Sequence, residues 1–187
     1  MNNKVTKDLL FPLSDYAVVP QQATLAEAIL LLRRVEASLP PDRQTPRAVL
    51  VSDAEGKIVG QLGHLDFLRA LEPKYDLMGD LDTLSRAGVS DSVIDSLTSH
   101  LSLWQGTLSE LAERTHSLLA ADFMHPLTES IDIEAPLTEA MHKLIIWQTP
   151  RVLVTRKGEV VGVLRAADLF AELAGLVERG KPEGEKE

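Results

Sequence analysis

The stretch Gly158–Phe170, GEVVGVLRAADLF, decides how this chain is read. Its apolar Val160, Val161, Val163 and Leu164 fit a strand, and Asp168 follows almost at once in what reads as the first turn of a helix. An earlier stretch, Gly56–Leu68, GKIVGQLGHLDFL, has the same layout: Gly60 matches Gly162 and Asp66 matches Asp168. Just upstream, TPRAVLV (Thr45–Val51) and TPRVLVT (Thr149–Thr155) share Thr-Pro-Arg and read as a preceding strand. The strand candidates of the first copy are Ala48–Ser52 and Ile58–Leu62, with a helix over Asp66–Leu71. A shared tripeptide alone arises by chance. Followed in each copy by a turn glycine, a Val-Gly pair and an Asp six residues after that glycine, it indicates duplication.

Further outward, the copies continue to agree. Ala17, Val18 and Val19 make a short strand ending at Pro20, and Ile131 with Ile133 makes its counterpart. Leu25, Ala28, Ile29 and Leu32 then recur at helical spacing, as do Leu137, Ala140, Met141 and Leu144. Thr24 and Glu27 have capping-box spacing, and Pro136 suits a first helical position. Pro40 and Pro41 mark a loop, because proline lacks the donor a continuing helix needs. Ahead of the first copy, Leu9, Leu10, Phe11 and Leu13 are expected to pack onto the body.

Composition narrows the function classes. At 187 residues and 44% hydrophobic content the chain can bury an ordinary core, as one domain or two small ones. No apolar run approaches the roughly 18–20 residues of a membrane span, and MNNKVTKDLL lacks the apolar centre of a signal peptide. The expectation is a cytoplasmic protein with no membrane partner. The absence of cysteine removes disulfides and thiolate metal sites. A net charge of −9 without a basic patch argues against nucleic acid. His64, His100, His116, His125 and His142 are scattered without paired ligand spacing, so no metal site is expected. No nucleophile stands beside a base and no Gly-rich phosphate loop occurs, so no catalytic site is expected.

The repeated units resemble a tandem pair of cystathionine-beta-synthase (CBS) domains, a Bateman module. The lead-in ADFMHPLTESIDIEAPLTEAM, Ala121–Met141, is particularly similar to the family's opening. The resemblance implies an α/β (α+β) fold: two β-α-β-β-α units, residues 10–71 and 120–178, packed through their sheets about a pseudo-twofold axis. A homodimer is expected by the same analogy. Between the units, residues 72–119 form an insert read as helical, and residues 179–187 a charged disordered tail. In the insert Val93, Ile94, Leu97 and Leu101 share a face, Ser90 can cap that helix, and Gly88 can stop a preceding one. Thr107 with Glu110 forms another capping box, and Trp104, Leu108 and Leu111 supply apolar surface for packing or for docking an unidentified protein partner.

The resemblance also implies a ligand. In nucleotide-binding members the Asp of this motif hydrogen-bonds the ribose hydroxyls, a role falling to Asp66 and Asp168; an Asp in a first helical turn also simply complements the helix dipole. The residue three before the Asp is commonly Thr or Ser, but here it is Gly63 or Arg165. Gly63 removes a side-chain contact while letting a ligand approach the backbone. Arg165 either binds phosphate oxygens as a fork or is a solvated or salt-bridged surface residue. Arg47 and Arg151 match by position the residues that face phosphates in the gamma subunits of AMP-activated kinases. His64 lies inside the motif, and Val18, Val19, Ile131 and Ile133 are adenine-side candidates that are core in any unliganded form. The expectation is a stand-alone, non-enzymatic regulatory module with no obligatory cofactor. It would take AMP, ADP, ATP or another adenosyl ligand in one or both clefts, the better site holding Arg151, Arg165 and Asp168. The alternative is a ligand-free dimerisation or adaptor protein acting through the insert.

Overall fold

The computed structural model describes residues 4–40, 45–71, 90, 92, 93, 96, 99 and 107–179. Along these the elements run β1 (Phe11–Pro12), β2 (Ala17–Pro20), α1 (Leu25–Ser38), β3 (Ala48–Ser52), β4 (Ile58–Gly63) and α2 (His64–Leu71). They continue with α3 (Leu108–Arg114), α4 (Ala120–Phe123), β5 (His125–Pro126), β6 (Ser130–Asp132), α5 (Leu137–Ile146), β7 (Arg151–Arg156), β8 (Glu159–Arg165) and α6 (Ala166–Arg179). The fold is mixed α+β, with two four-stranded sheets ordered β2-β3-β4-β5 and β1-β8-β7-β6. Contacts divide the chain into a first unit, Ala17–Pro126, and a second, Met1–Tyr16 with Leu127–Glu187.

In the first unit β2 lies parallel to β3, the crossover being α1, and β3 turns back antiparallel into β4. The second unit repeats this with β6, α5, β7 and β8. Gly56 at φ 81° and Gly158 at φ 85° make the hairpin turns, left-handed positions that glycine occupies without a Cβ penalty. The apolar stripe of α1 closes one core through Leu25, Ala28 and Leu32 against Val49, Val51 and Leu62. The stripe of α5 closes the other through Ala140 and Leu144 against Ile131, Val152, Val154 and Leu164. Pro136 flanks α5 as its cap residue rather than as its first helical residue, with ψ 146° holding it extended.

The short strands come from unexpected places. Leu9 and Leu10 do pack on a core, but Phe11-Pro12 is itself the edge strand of the second unit, antiparallel to β8 with Pro12 opposite Gly162. In the first unit His125-Pro126 pairs with β4, with Pro126 opposite Gly60. Proline suits these positions because an edge strand can leave a donor out of the ladder. The segment ahead of each repeat thus completes the sheet of the other. It also serves the helix N-termini: Leu118 and Thr115 accept from the N–H groups of Leu25 and Ala26 at 2.8 and 3.2 Å. Lys4 accepts from Leu137 N–H at 3.3 Å in the second unit.

Thr24 Oγ1 accepts from Glu27 N–H at 3.2 Å and the Glu27 carboxylate accepts from Thr24 N–H at 2.7 Å, the expected capping box. Thr107 and Glu110 form another at the start of α3, where Leu111 is buried. The expectations for Gly88, Ile94, Leu97, Leu101 and Trp104 fall outside the described residues, as do those for residues 180–187. α6 runs through Glu178 to Arg179, whose guanidinium lies 3.7 Å from the Glu172 carboxylate.

A Cβ at residue 162 would collide with the Phe11 carbonyl oxygen and the Leu10 side chain, whereas at residue 60 it meets chiefly the end of the Met124 side chain. Gly162→Ala is therefore expected to lower the unfolding free energy by about 1–3 kcal/mol in chemical denaturation, and Gly60→Ala by less because Met124 can move. Thr24→Ala is expected to cost about 1 kcal/mol. The bonds from the Thr24 N–H and then the Thr24 hydroxyl hold the Glu27 carboxyl below its ordinary range. Its stabilisation is present above the ordinary carboxylate pKa and is lost as pH falls through the depressed value. Glu27→Gln should therefore flatten the acid limb of a stability-against-pH curve.

Candidate functional site

In each unit the strand that follows Arg47 or begins at Arg151 lies beside the end of the hairpin's second strand, which runs directly into the helix bearing the Asp. Ala48 pairs with Gly63 in the first unit, and Arg151 pairs with Arg165 in the second. The Thr-Pro-Arg tripeptide has a job at this corner: Thr149 Oγ1 donates to the Arg151 carbonyl at 2.8 Å, and the Pro150 carbonyl accepts from Ala166 N–H, which opens α6, at 3.0 Å. Asp66 and Asp168 both fall in the first turn of their helices.

The two corners differ in what the Asp touches. Asp66 accepts through Oδ2 from the Gly63 N–H at 2.7 Å, and its Oδ1 lies 2.8 Å from His125 Nε2. The His125 side chain is 59% exposed. Asp168 instead receives both arms of one guanidinium: Arg165 Nε to Oδ2 and Arg165 NH2 to Oδ1, each at 2.6 Å. Arg165 is only 7% exposed, and its guanidinium stacks 4.3 Å from the Phe11 ring centroid. Phe11 packs edge-on against Tyr16 with centroids 5.1 Å apart. Burial raises the Tyr16 phenol above its ordinary pKa, opposed by the nearby charges of Arg151 and Arg165. Arg165 is thus salt-bridged, as one of its two readings held, but buried rather than on the surface.

Arg47 and His64 come together in the first unit, where a cleft of about 490 Å³ is lined by Arg33, Glu36, Ala37, Thr45, Arg47 and His64. That volume is in the range of small-molecule sites. Arg47 is held at φ 50°, a left-handed conformation uncommon outside glycine. Glu36 lies 3.8 Å from His64 Nε2 and 4.0 Å from Arg33. Val19, Ile131 and Ile133 are sealed in the two cores, at most 4% exposed. Among the described residues no group of three His, Asp or Glu side chains is placed to hold a metal ion. No helix among them is long and apolar enough to cross a membrane.

Phe11, Tyr16 and His125 were not singled out in the sequence as site residues. The signal was a further internal match: Leu10-Phe11-Pro12-Leu13 aligns with Met124-His125-Pro126-Leu127, so Phe11 and His125 are repeat equivalents. One stacks on the cation that binds its unit's Asp, and the other approaches the Asp itself.

The CBS domain family profile matches residues 7–73 and 120–175, more than half of the chain. No curated protein matches it in sequence. Among solved structures, the CBS-pair protein CBSX2 from Arabidopsis thaliana is similar over 96% of this chain and 100% of its own, with TM-score 0.59 and 18% identity. A CBS domain-containing protein of unknown function from Bacillus anthracis str. Ames Ancestor matches over 92% of this chain and 94% of its own, with TM-score 0.59 and 16% identity. CBSX2 in complex with AMP matches over 92% of this chain and 98% of its own, with TM-score 0.53 and 17% identity. With two profile matches on two repeated units, the chain belongs to the CBS domain family as a tandem CBS pair.

Proposed function

We propose that this CBS pair is a regulatory module that binds an adenine nucleotide or related adenosyl ligand and signals by a change in conformation or association. The observation that carries the reading is the cleft of the first unit, where Arg33, Arg47 and His64 converge with Glu36 beside the helix that bears Asp66. Arginine forks suit phosphate oxygens, and a carboxylate in the first turn suits ribose hydroxyls, which are donors. CBSX2, a neighbour in fold, has been solved with AMP, which supports the same ligand class. A ligand acts on such a module only through unequal affinity for two states. The role is regulatory rather than catalytic, as CBS pairs generally are.

Exposed apolar helix faces support association with a second copy. In the first unit these are Leu30, Leu65 and Leu68; in the second Met141, Ile145, Phe170 and Leu173. A ligand-free dimerisation or adaptor protein is the second reading, favoured by the engagement of both Asp carboxylates with protein groups.

Calorimetry with AMP, ADP and ATP on folded protein is expected to show binding, and Arg47→Ala to weaken it by about tenfold or more, a charged hydrogen bond's worth. No heat from any of the three nucleotides, with circular dichroism intact, would sink the ligand reading and leave the adaptor one. Sedimentation is expected to give a dimer, with Phe170→Asp combined with Leu173→Asp shifting it toward monomer. An unchanged mass would remove the α6 face from the contact.

A further inference from the structure

We infer that Arg165 is a built-in occupant of the second unit's ligand corner: it holds Asp168 in the way a ribose diol would, so that the first unit is the ligand-competent one. This rests on the nucleotide reading above. A vicinal diol presents two O–H donors to the two oxygens of a carboxylate, and the Arg165 fork presents two N–H donors to the same two oxygens, each at 2.6 Å. Both Asp168 oxygens are thus engaged by the fork. The fork is also hard to displace. Arg165 is 7% exposed, lies under the Phe11 ring, and would have to leave a short bidentate pair to be displaced.

The first unit lacks each part of this clamp. At the position equivalent to Arg165 it has Gly63, which contributes only a backbone N–H to Asp66. At the position equivalent to Phe11 it has His125, whose ring meets Asp66 through one nitrogen and is 59% exposed. A solvated histidine can rotate away from a carboxylate into water, whereas a buried guanidinium has no water to turn to. The same repeat difference therefore leaves the first corner's Asp held by a backbone N–H and a solvent-exposed imidazole that can turn away, while the arginine that looks like a phosphate ligand in the second corner is committed to its neighbour. The two corners are a working site and a self-satisfied one.

The test combines binding and stability on the full chain. With AMP as the probe, Asp66→Ala is expected to weaken binding by about tenfold or more, and Asp168→Ala to leave affinity within about twofold. Arg165→Met, which keeps packing against Phe11 but has no donors, is expected to add a second binding event that Asp168→Ala removes. Loss of AMP binding in Asp168→Ala with retention in Asp66→Ala would overturn the inference. If the wild type binds no AMP at all, the nucleotide reading fails, and the clamp is judged by a double-mutant cycle of Arg165→Met with Asp168→Asn in urea denaturation. Coupling of about tenfold or more in the unfolding equilibrium upholds the clamp; additivity of the two substitutions overturns it whatever the binding result.

Discussion

The close crossing of a proline edge strand over a glycine is the constraint on which each unit depends. Pro12 lies opposite Gly162 and Pro126 opposite Gly60. At both glycines a side chain would strike the crossing segment. The crossing completes each four-stranded sheet and brings the segment just before it against the N-terminus of the unit's first helix, where backbone carbonyls accept helix N–H groups that would otherwise lack partners. Sheet closure and helix capping are therefore one structural event, made twice by segments that sit ahead of the opposite repeat.

The same crossing decides the chemistry of the corners. The residue before each proline projects toward the helix that follows the hairpin, so Phe11 and His125 arrive at equivalent places with different side chains. Phe11 covers a cation; His125 approaches an anion. Because Arg165 supplies the cation in one unit and Gly63 supplies none in the other, each Asp still finds a protein partner, but of unlike strength. A buried bidentate guanidinium and a backbone N–H with a solvent-exposed imidazole differ in how readily an incoming donor displaces them. Two side-chain differences, Arg165 for Gly63 and Phe11 for His125, give two similar corners unlike surroundings.

Much of this was legible in the residues. The turn glycines, the alternating apolar strands, the helical stripes and the capping box of Thr24 and Glu27 are local patterns, and each depends on spacing within one element. The repeat of GEVVGVLRAADLF in GKIVGQLGHLDFL carried the family and the positions of Asp66 and Asp168, because a duplicated unit shows itself without any knowledge of contacts. The Thr-Pro-Arg tripeptide was visible, but its reason was not: the Pro150 carbonyl meets a helix start sixteen residues along the chain, at Ala166.

Partnership across the chain was decided by the tertiary structure alone. Phe11 and Arg165 are separated by most of the sequence, and nothing in their local spacing says that one will stack on the other. Arg165 read as a phosphate ligand or as a solvated or salt-bridged surface charge, since an arginine three residues before an aspartate can face outward or fold back. Burial removed the water that would have solvated it, and in that setting a guanidinium takes the nearest carboxylate. The stretch Gly158–Phe170 thus determined the strand, the helix and the acid, while the edge strand arriving from the start of the chain determined what the acid is bound to.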